Sequence, residues 1–170
     1  MPRLDRLDAE IIGRLTRNAR AGIVELASAL GVARNTVQAR LKRLEDSGVV
    51  RGFRPDVDLE AIGVPVQAFV DVELDQRRMA HVVEEISQIP EVLEIITQAG
   101  REDLRVRVAA VTHAELQEVV VRIIDTDGVR HTTSTLAIST PLPYRVQPLL
   151  EKVTRETGYG RSSPPPPLVE

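Results

Sequence analysis

The sequence predicts an α+β protein in two parts, a winged helix-turn-helix followed by a ferredoxin-like β-α-β-β-α-β domain. Three observations carry that expectation. Apolar residues recur at helical spacing up to about residue 47, then at a period near two from residue 66. From 66 onward, strand-like and helix-like segments alternate in the order of a split β-α-β unit. Charge is segregated: residues 1–63 carry a net +2 and residues 64–170 a net −5, within a chain of net charge −3.

Asp5 precedes the periodic run Leu7, Ile11, Ile12, Leu15, with Asp8 three residues on. This is an N-cap with an acidic first turn, opening a helix that reaches about Arg17. A second short helix follows the Ala-Gly at 21–22, its inner face supplied by Val24, Leu26, Ala27 and Leu30. Gly31 ends it, because glycine accepts the left-handed backbone of a tight turn. The third helix runs from about Arg34 to Ser47 and closes at Gly48. Val37, Leu41 and Leu44 face inward, which leaves Arg34, Asn35, Gln38 and Lys42 outermost and Thr36, Arg40 and Arg43 flanking. "GVVRGFRPDVD" beyond it predicts a short strand or wing.

From Val66 to Leu74 alternate residues are apolar, as in a strand buried on one side. "MAHVVEEISQI" (79–89) is a helix with a stripe at Val82, Val83, Ile86 and Ile89, stopped by Pro90. "EVLEIITQA" and "LRVRVAAV" are strands around the turn "GRED", "HAELQEVVVRIID" is a second amphipathic helix, and "VRHTTSTLAIS" is a last strand. The first and third strands are neighbours in such a sheet, so Asp71 and Glu73 should meet Arg105 and Arg107 on the face away from the helices. That face is either wetted or covered by another subunit. The expected boundaries are a DNA-binding domain at 1–57, a hinge at 58–65, the ferredoxin-like domain at 66–142 and an extension at 143–170. "RVQPLLEKVTRET" adds a strand or short helix, and "GYGRSSPPPPLVE" is too poor in apolar residues to pack.

No cysteine is present, which removes disulfides and thiolate metal sites. His81, His113 and His131 are too widely spaced for a metal site, so neither metal nor cofactor is expected. The charged start and the lack of a long apolar run predict a cytoplasmic, soluble protein without membrane contact.

Two short helices joined at a glycine, the second turning basic and amide groups outward, suit double-stranded DNA. Arginine bonds guanine bidentately, and asparagine or glutamine bonds adenine, in a groove that admits a helix. Arg34 and Gln38 are the candidates for base edges, and Asn35, Thr36 and Arg40 are further DNA-binding candidates beside them. Lys42, Arg43 and Arg51 are candidates for phosphates. A three-helix bundle with a solvated charged face remains the other reading of the same pattern.

"LDRLDAEII", "ELASALGVARNTVQARLKRLEDSGVVRGF", "DLEAIG" and "AGREDLRVRV" together resemble the Lrp/AsnC family of feast/famine transcriptional regulators, from Leu4 to about Ile138. The resemblance implies a homodimer, assembling further into a tetramer of dimers, with an amino acid or small metabolite bound where dimers meet. Two positions depart from the family pattern: Ala33 and Gly22 stand where serine caps are usual, and alanine caps poorly, so the third helix could begin near Asn35. The Gly100-x-x-Asp103 hairpin tip matches the family's motif. Its backbone could bind a carboxylate and Asp103 an ammonium, with Arg101 a further carboxylate partner. By the resemblance Ile96 and the Thr133–Thr135 strand lie close to the pocket. An ordinary β-turn, with Asp103 bonding its own backbone, is the alternative. No catalytic residue is assigned. A tetrapyrrole (haem-precursor) decarboxylase of the same architecture is the rival function, and an effector-binding partner that no longer reads DNA is a third.

Overall fold

A computed structural model describes residues 4–160 and divides the chain into two compact units. One comprises residues up to Pro55 together with those from Pro143. The other is Asp56–Leu142. Among the described residues no helix is long and apolar enough to cross a membrane.

The first unit holds α1 (Arg6–Arg17), α2 (Ile23–Leu30), α3 (Arg34–Asp46) and α6 (Gln147–Thr154). Asp5 caps α1 in a reciprocal box: its carboxylate accepts from the Asp8 N–H, and the Asp8 carboxylate accepts from the Asp5 N–H, both at 3.0 Å. Leu7, Ile11 and Leu15 of α1 meet Leu26, Ala27 and Leu30 of α2 and Val37 of α3 in one apolar core. Each such leucine or isoleucine contributes about 1.5–3 kcal/mol by leaving water. Gly31, at φ 64°, turns α2 into α3.

Two expectations for this unit are corrected, and the expected start of the third helix near Arg34 is met. Val24 is 54% exposed. The inner row of α2 is instead Ile23, Ala27 and Leu30, spaced i, i+4, i+7, which leaves Val24 in line with exposed Ser28. The third helix begins at Arg34 even though Ala33 supplies no side-chain cap. Residues 51–58 form no strand or wing, for among the described residues of this unit no second strand exists to pair with them.

The second unit runs β1 (Val66–Leu74), a 3-10 turn (Gln76–Arg78), α4 (Met79–Ser87), β2 (Val92–Thr97), β3 (Leu104–Ala110), α5 (His113–Ile124) and β4 (Val129–Ala137). The sheet order is β2-β3-β1-β4 with every pair antiparallel, the ferredoxin-like arrangement. Because side chains alternate faces, Ala68, Val70, Val72 and Leu74 of β1 join Leu104, Val106 and Val108 of β3 beneath Val82 and Ile86 of α4 and Leu116, Val119 and Ile123 of α5. Thr112 caps α5 by accepting from the Glu115 N–H. Residues 58–63 close a turn in which the Asp58 carboxylate accepts from the Ala61 N–H.

The extension meets one expectation and departs from another. Gln147–Thr154 is helical, and Tyr159, assigned above to an unpacked tail, packs against the core of the first unit. One aromatic ring between two glycines supplies apolar area that a count over the whole tail dilutes. The rest of that tail, from Arg161 on, lies outside the described residues.

Candidate functional site

The outward surface of α3 follows directly from its buried stripe. Val37 and Leu44 are inaccessible, so Arg34, Asn35, Gln38 and Lys42 stand in solvent, with Thr36 half-buried beside them. Lys42 pairs with Asp46 one turn on, Nζ to Oδ2 at 3.0 Å, an exposed contact of small energy. Arg51 is exposed beyond the helix.

Arg40 and Arg43 sit differently. Arg40 bonds the carboxylates of Asp5 and of Asp8, the latter at 3.1 Å, and its side chain is only 14% exposed. Arg43 donates from Nη2 to Asp8 Oδ2 at 2.5 Å. Asp8 is fully buried. Its oxygens thus close the α1 capping box and hold two guanidinium groups of α3, the satisfaction a buried carboxylate requires. Burial alone would raise the Asp5 carboxyl, but the Arg40 bond, the Asp8 N–H and the charge of Arg40 outweigh it and hold Asp5 below its usual range. A cleft beside this cluster is lined by Asn35, Thr36 and Ala39 as well as Asp5, Arg40, Arg43 and Gly160.

In the second unit the face away from the helices carries a polar network. Asp71 lies opposite Arg105 and Thr133. Arg105 clasps it bidentately, Nε at 2.7 Å and Nη2 at 2.9 Å, and Gln98 donates to it at 3.2 Å. The Arg105 bonds hold Asp71 below the ordinary carboxylate range against the opposing effect of burial. The expected Glu73–Arg107 pair does not form. Register sets Glu73 against His131 and Arg107 against Phe69, and Arg107 donates to Gln67 instead.

The Asp103 carboxylate neither lies idle nor bonds its own turn, which is closed by the Gln98 N–H on the Asp103 backbone carbonyl. The carboxylate accepts from the Leu74 N–H at 2.9 Å and the Gln76 amide at 3.1 Å, while the Asp103 N–H donates to the Val72 carbonyl. It latches the β2–β3 hairpin to the end of β1. The Leu74 N–H first, then Gln76, keeps its carboxyl below the usual range. Gly100 and Arg101 are exposed at the hairpin end. Gly100 is outside the left-handed region, and a Cβ there would meet nothing within 4 Å. Ile96, Thr133 and Thr135 all share the open face, Thr135 opposite Phe69. Ile96 and Thr133 belong to one row, but β3 and β1 intervene, a span of about 14 Å. Within one chain, therefore, the structure does not gather the six candidate effector residues around a single small molecule.

Two family models match in sequence order. The AsnC-type helix-turn-helix domain covers residues 4–45, and the Lrp/AsnC ligand binding domain covers residues 67–147. The HTH-type transcriptional regulator AldR of Mycobacterium tuberculosis is 33% identical over 128 residues, spanning 74% of this chain and 72% of that protein. The chain belongs to the Lrp/AsnC family. A further similar protein, the HTH-type transcriptional regulator FL11 of Pyrococcus horikoshii, is 28% identical over 137 residues, 81% of this chain and 91% of that one. The structure of E. coli AsnC superposes with a TM-score of 0.79 at 25% identity, covering 86% of this chain and 100% of that one. Membership makes this an Lrp/AsnC-type regulator with a ligand-binding domain. Asp8, Gln76, Gln98 and Tyr159 were not singled out in the sequence as site residues. The only signals were the Asp5-x-x-Asp8 spacing and the Gly-Tyr-Gly of 158–160.

Proposed function

We propose that the protein reads double-stranded DNA through α3 and that an amino acid or related metabolite, held at the hairpin end of the sheet domain, tunes that reading. The supporting observation is the division of labour on α3. Arg40 is turned in toward α1 and Arg43, though 46% exposed, is tied to Asp8, so the outward groups with no bond to α1 are Arg34, Asn35, Gln38 and Lys42. Gln38 and Asn35 have the paired donor and acceptor that adenine matches, and Arg34 the fork that guanine matches. Lys42 and Arg51 hold phosphates, the weak Lys42–Asp46 pair yielding to them. The uncapped amides at the start of α3, behind Ala33, suit a further phosphate. Arg40 and Arg43 set the helix, and Thr36 flanks the surface that reads the groove.

For the effector, the hairpin backbone at Gly100 and Arg101 takes the carboxylate, and the absence of a side chain at Gly100 leaves room for it. Asp103 takes the ammonium through lone pairs that Leu74 and Gln76 leave over. Since Ile96 lies far from Thr133 in one chain, a complete pocket draws on more than one subunit. That fits a homodimer paired through the open sheet face and assembled further into a tetramer of dimers.

The test is selection of duplexes from a randomised library by the full chain, followed by sedimentation with and without each free amino acid. Enrichment of a two-fold symmetric sequence with half-sites a helical turn or a multiple apart is expected. Recovery of unselected sequence would leave a domain that no longer reads DNA. A chain that sediments as a monomer would remove the shared pocket.

A further inference from the structure

The family models end at residue 147, yet the chain beyond it packs on α1. The Gln147 side chain covers Gly13, where any Cβ would come within 2.6 Å of it. After α6, the Thr157 N–H donates to the Thr154 carbonyl, and Gly158 and Gly160, at φ 60° and 63°, fold the chain back over the start of α1. L-residues rarely adopt that backbone, so the two glycines make the return possible.

Three contacts fasten it. The Arg6 N–H, one of the helix-start donors without an intrahelical partner, donates to the Gly158 carbonyl at 2.9 Å. The Tyr159 hydroxyl donates to Glu10 at 2.5 Å, and the Arg6 guanidinium lies 5.4 Å from the centre of its ring. Gly160 stands against the ion-pair cluster itself: a Cβ there would be 2.6 Å from Asp5 Oδ2 and 3.0 Å from Arg40 Nη2. The returning chain therefore closes one side of the Asp5–Asp8–Arg40 arrangement that sets α3.

We propose that Gln147–Gly160 is a clamp on the reading head, a positioning element for DNA recognition that acts through Asp5 and Arg40. The inference rests on α3 reading DNA. Its physical basis is the thin anchorage of α3, which has no side-chain N-cap and just two fully buried side chains. Its rotation about its own axis is then set by where Arg40 and Arg43 find their carboxylates. Arg40 is within one turn of Gln38 and Thr36, so a shift in Asp5 becomes a shift in the residues facing the groove.

The experiment compares, for the full chain, affinity for the duplex selected by the wild type with affinity for a scrambled duplex of the same composition. The variants are Tyr159→Ala, Tyr159→Leu, Gly160→Val and Tyr159→Phe. Tyr159→Leu keeps apolar bulk without the hydroxyl or ring, which guards against an outcome that is simply unfolding. For the first three the ratio of the two affinities should fall about tenfold or more, as when one bidentate base contact is misplaced. Tyr159→Phe keeps the ring beneath Arg6 and should retain most of the ratio. A merely stabilising role would lower the active fraction and leave the ratio unchanged, and that result overturns the clamp. A wild type that selects no duplex overturns the DNA-reading proposal, and the clamp with it. A wild type that selects one, while all four variants keep the full ratio, overturns the clamp alone.

Discussion

The two units solve the problem of holding their parts in opposite ways. The sheet unit sandwiches its apolar residues between strands and helices and keeps the Asp71–Arg105 pair on the face away from the helices. The helical unit has a smaller core and buries a carboxylate, Asp8, between α1 and α3. Apolar contact is tolerant of rotation, whereas hydrogen-bonded charge is directional. The unit that must aim a helix uses the directional device, and the unit that must present a stable surface uses the tolerant one.

The strongest way to break this comparison is to delete one carboxylate in each unit. Asp8→Ala leaves Arg40 beside an unfilled site and removes half of the α1 capping box, a cost of about 3–5 kcal/mol by the behaviour of broken buried pairs. Asp71→Ala breaks a pair whose arginine is 47% exposed within one subunit, and its denaturation midpoint should fall by less than that of Asp8→Ala. Urea unfolding of both variants decides it. Equal shifts would mean that burial of the pair is not what matters.

Next in size are the outward residues of α3. Gln38→Ala should relax sequence preference by about 1–3 kcal/mol, while Lys42→Ala should weaken all duplexes alike and flatten the salt dependence. Uniform loss from both would show that α3 holds DNA without reading it.

A smaller effect is expected at the hairpin. Asp103→Ala removes the latch to Leu74 and the proposed ammonium partner. It should abolish the response of DNA binding to the best amino acid found by calorimetry and leave unliganded DNA affinity nearly as it was, because a ligand acts only through its differential affinity for two states. An unchanged response would leave Asp103 the latch alone.

The mildest test is alkaline. Burial first, then the bond to Glu10 and its charge, pushes the Tyr159 hydroxyl up to about 12, with Arg6 opposing. A raised tyrosine favours the neutral form in the fold. Its contribution is therefore complete below the ordinary value of 10.0 and is lost as pH climbs from there toward 12. The difference in tyrosine absorbance between wild type and Tyr159→Phe, titrated with base, isolates this group. A midpoint near 10 would mean that the clamp is not seated in solution. At the acid end the sign reverses for Asp5 and Asp71. Both are depressed, so their contributions hold above 3.8 and fade as pH falls through their folded values.

Most of the fold was legible because its signals are local. The Asp5 cap, the Gly31 break, the alternation of β1 and the stripe of α5 each depend on residues within one or two turns or a few strand positions. Even the Asp71–Arg105 pair followed from strand order, since register is a rule of the sheet. What sequence spacing could not assign was the direction in which long side chains turn. Arg34 and Arg40 are alike as letters on a basic helix, yet one faces solvent and the other faces Asp5 and Asp8, 35 and 32 positions earlier. Asp103 likewise carries the motif of a turn but bonds Leu74, 29 positions away. The sequence by itself determined which segments are helix or strand and which faces are apolar, because periodicity and capping are properties of neighbours. Only the tertiary structure decided which charges are occupied and which are offered. A hydrogen bond needs its partner within about 3 Å, and that proximity comes from packing, not from order along the chain.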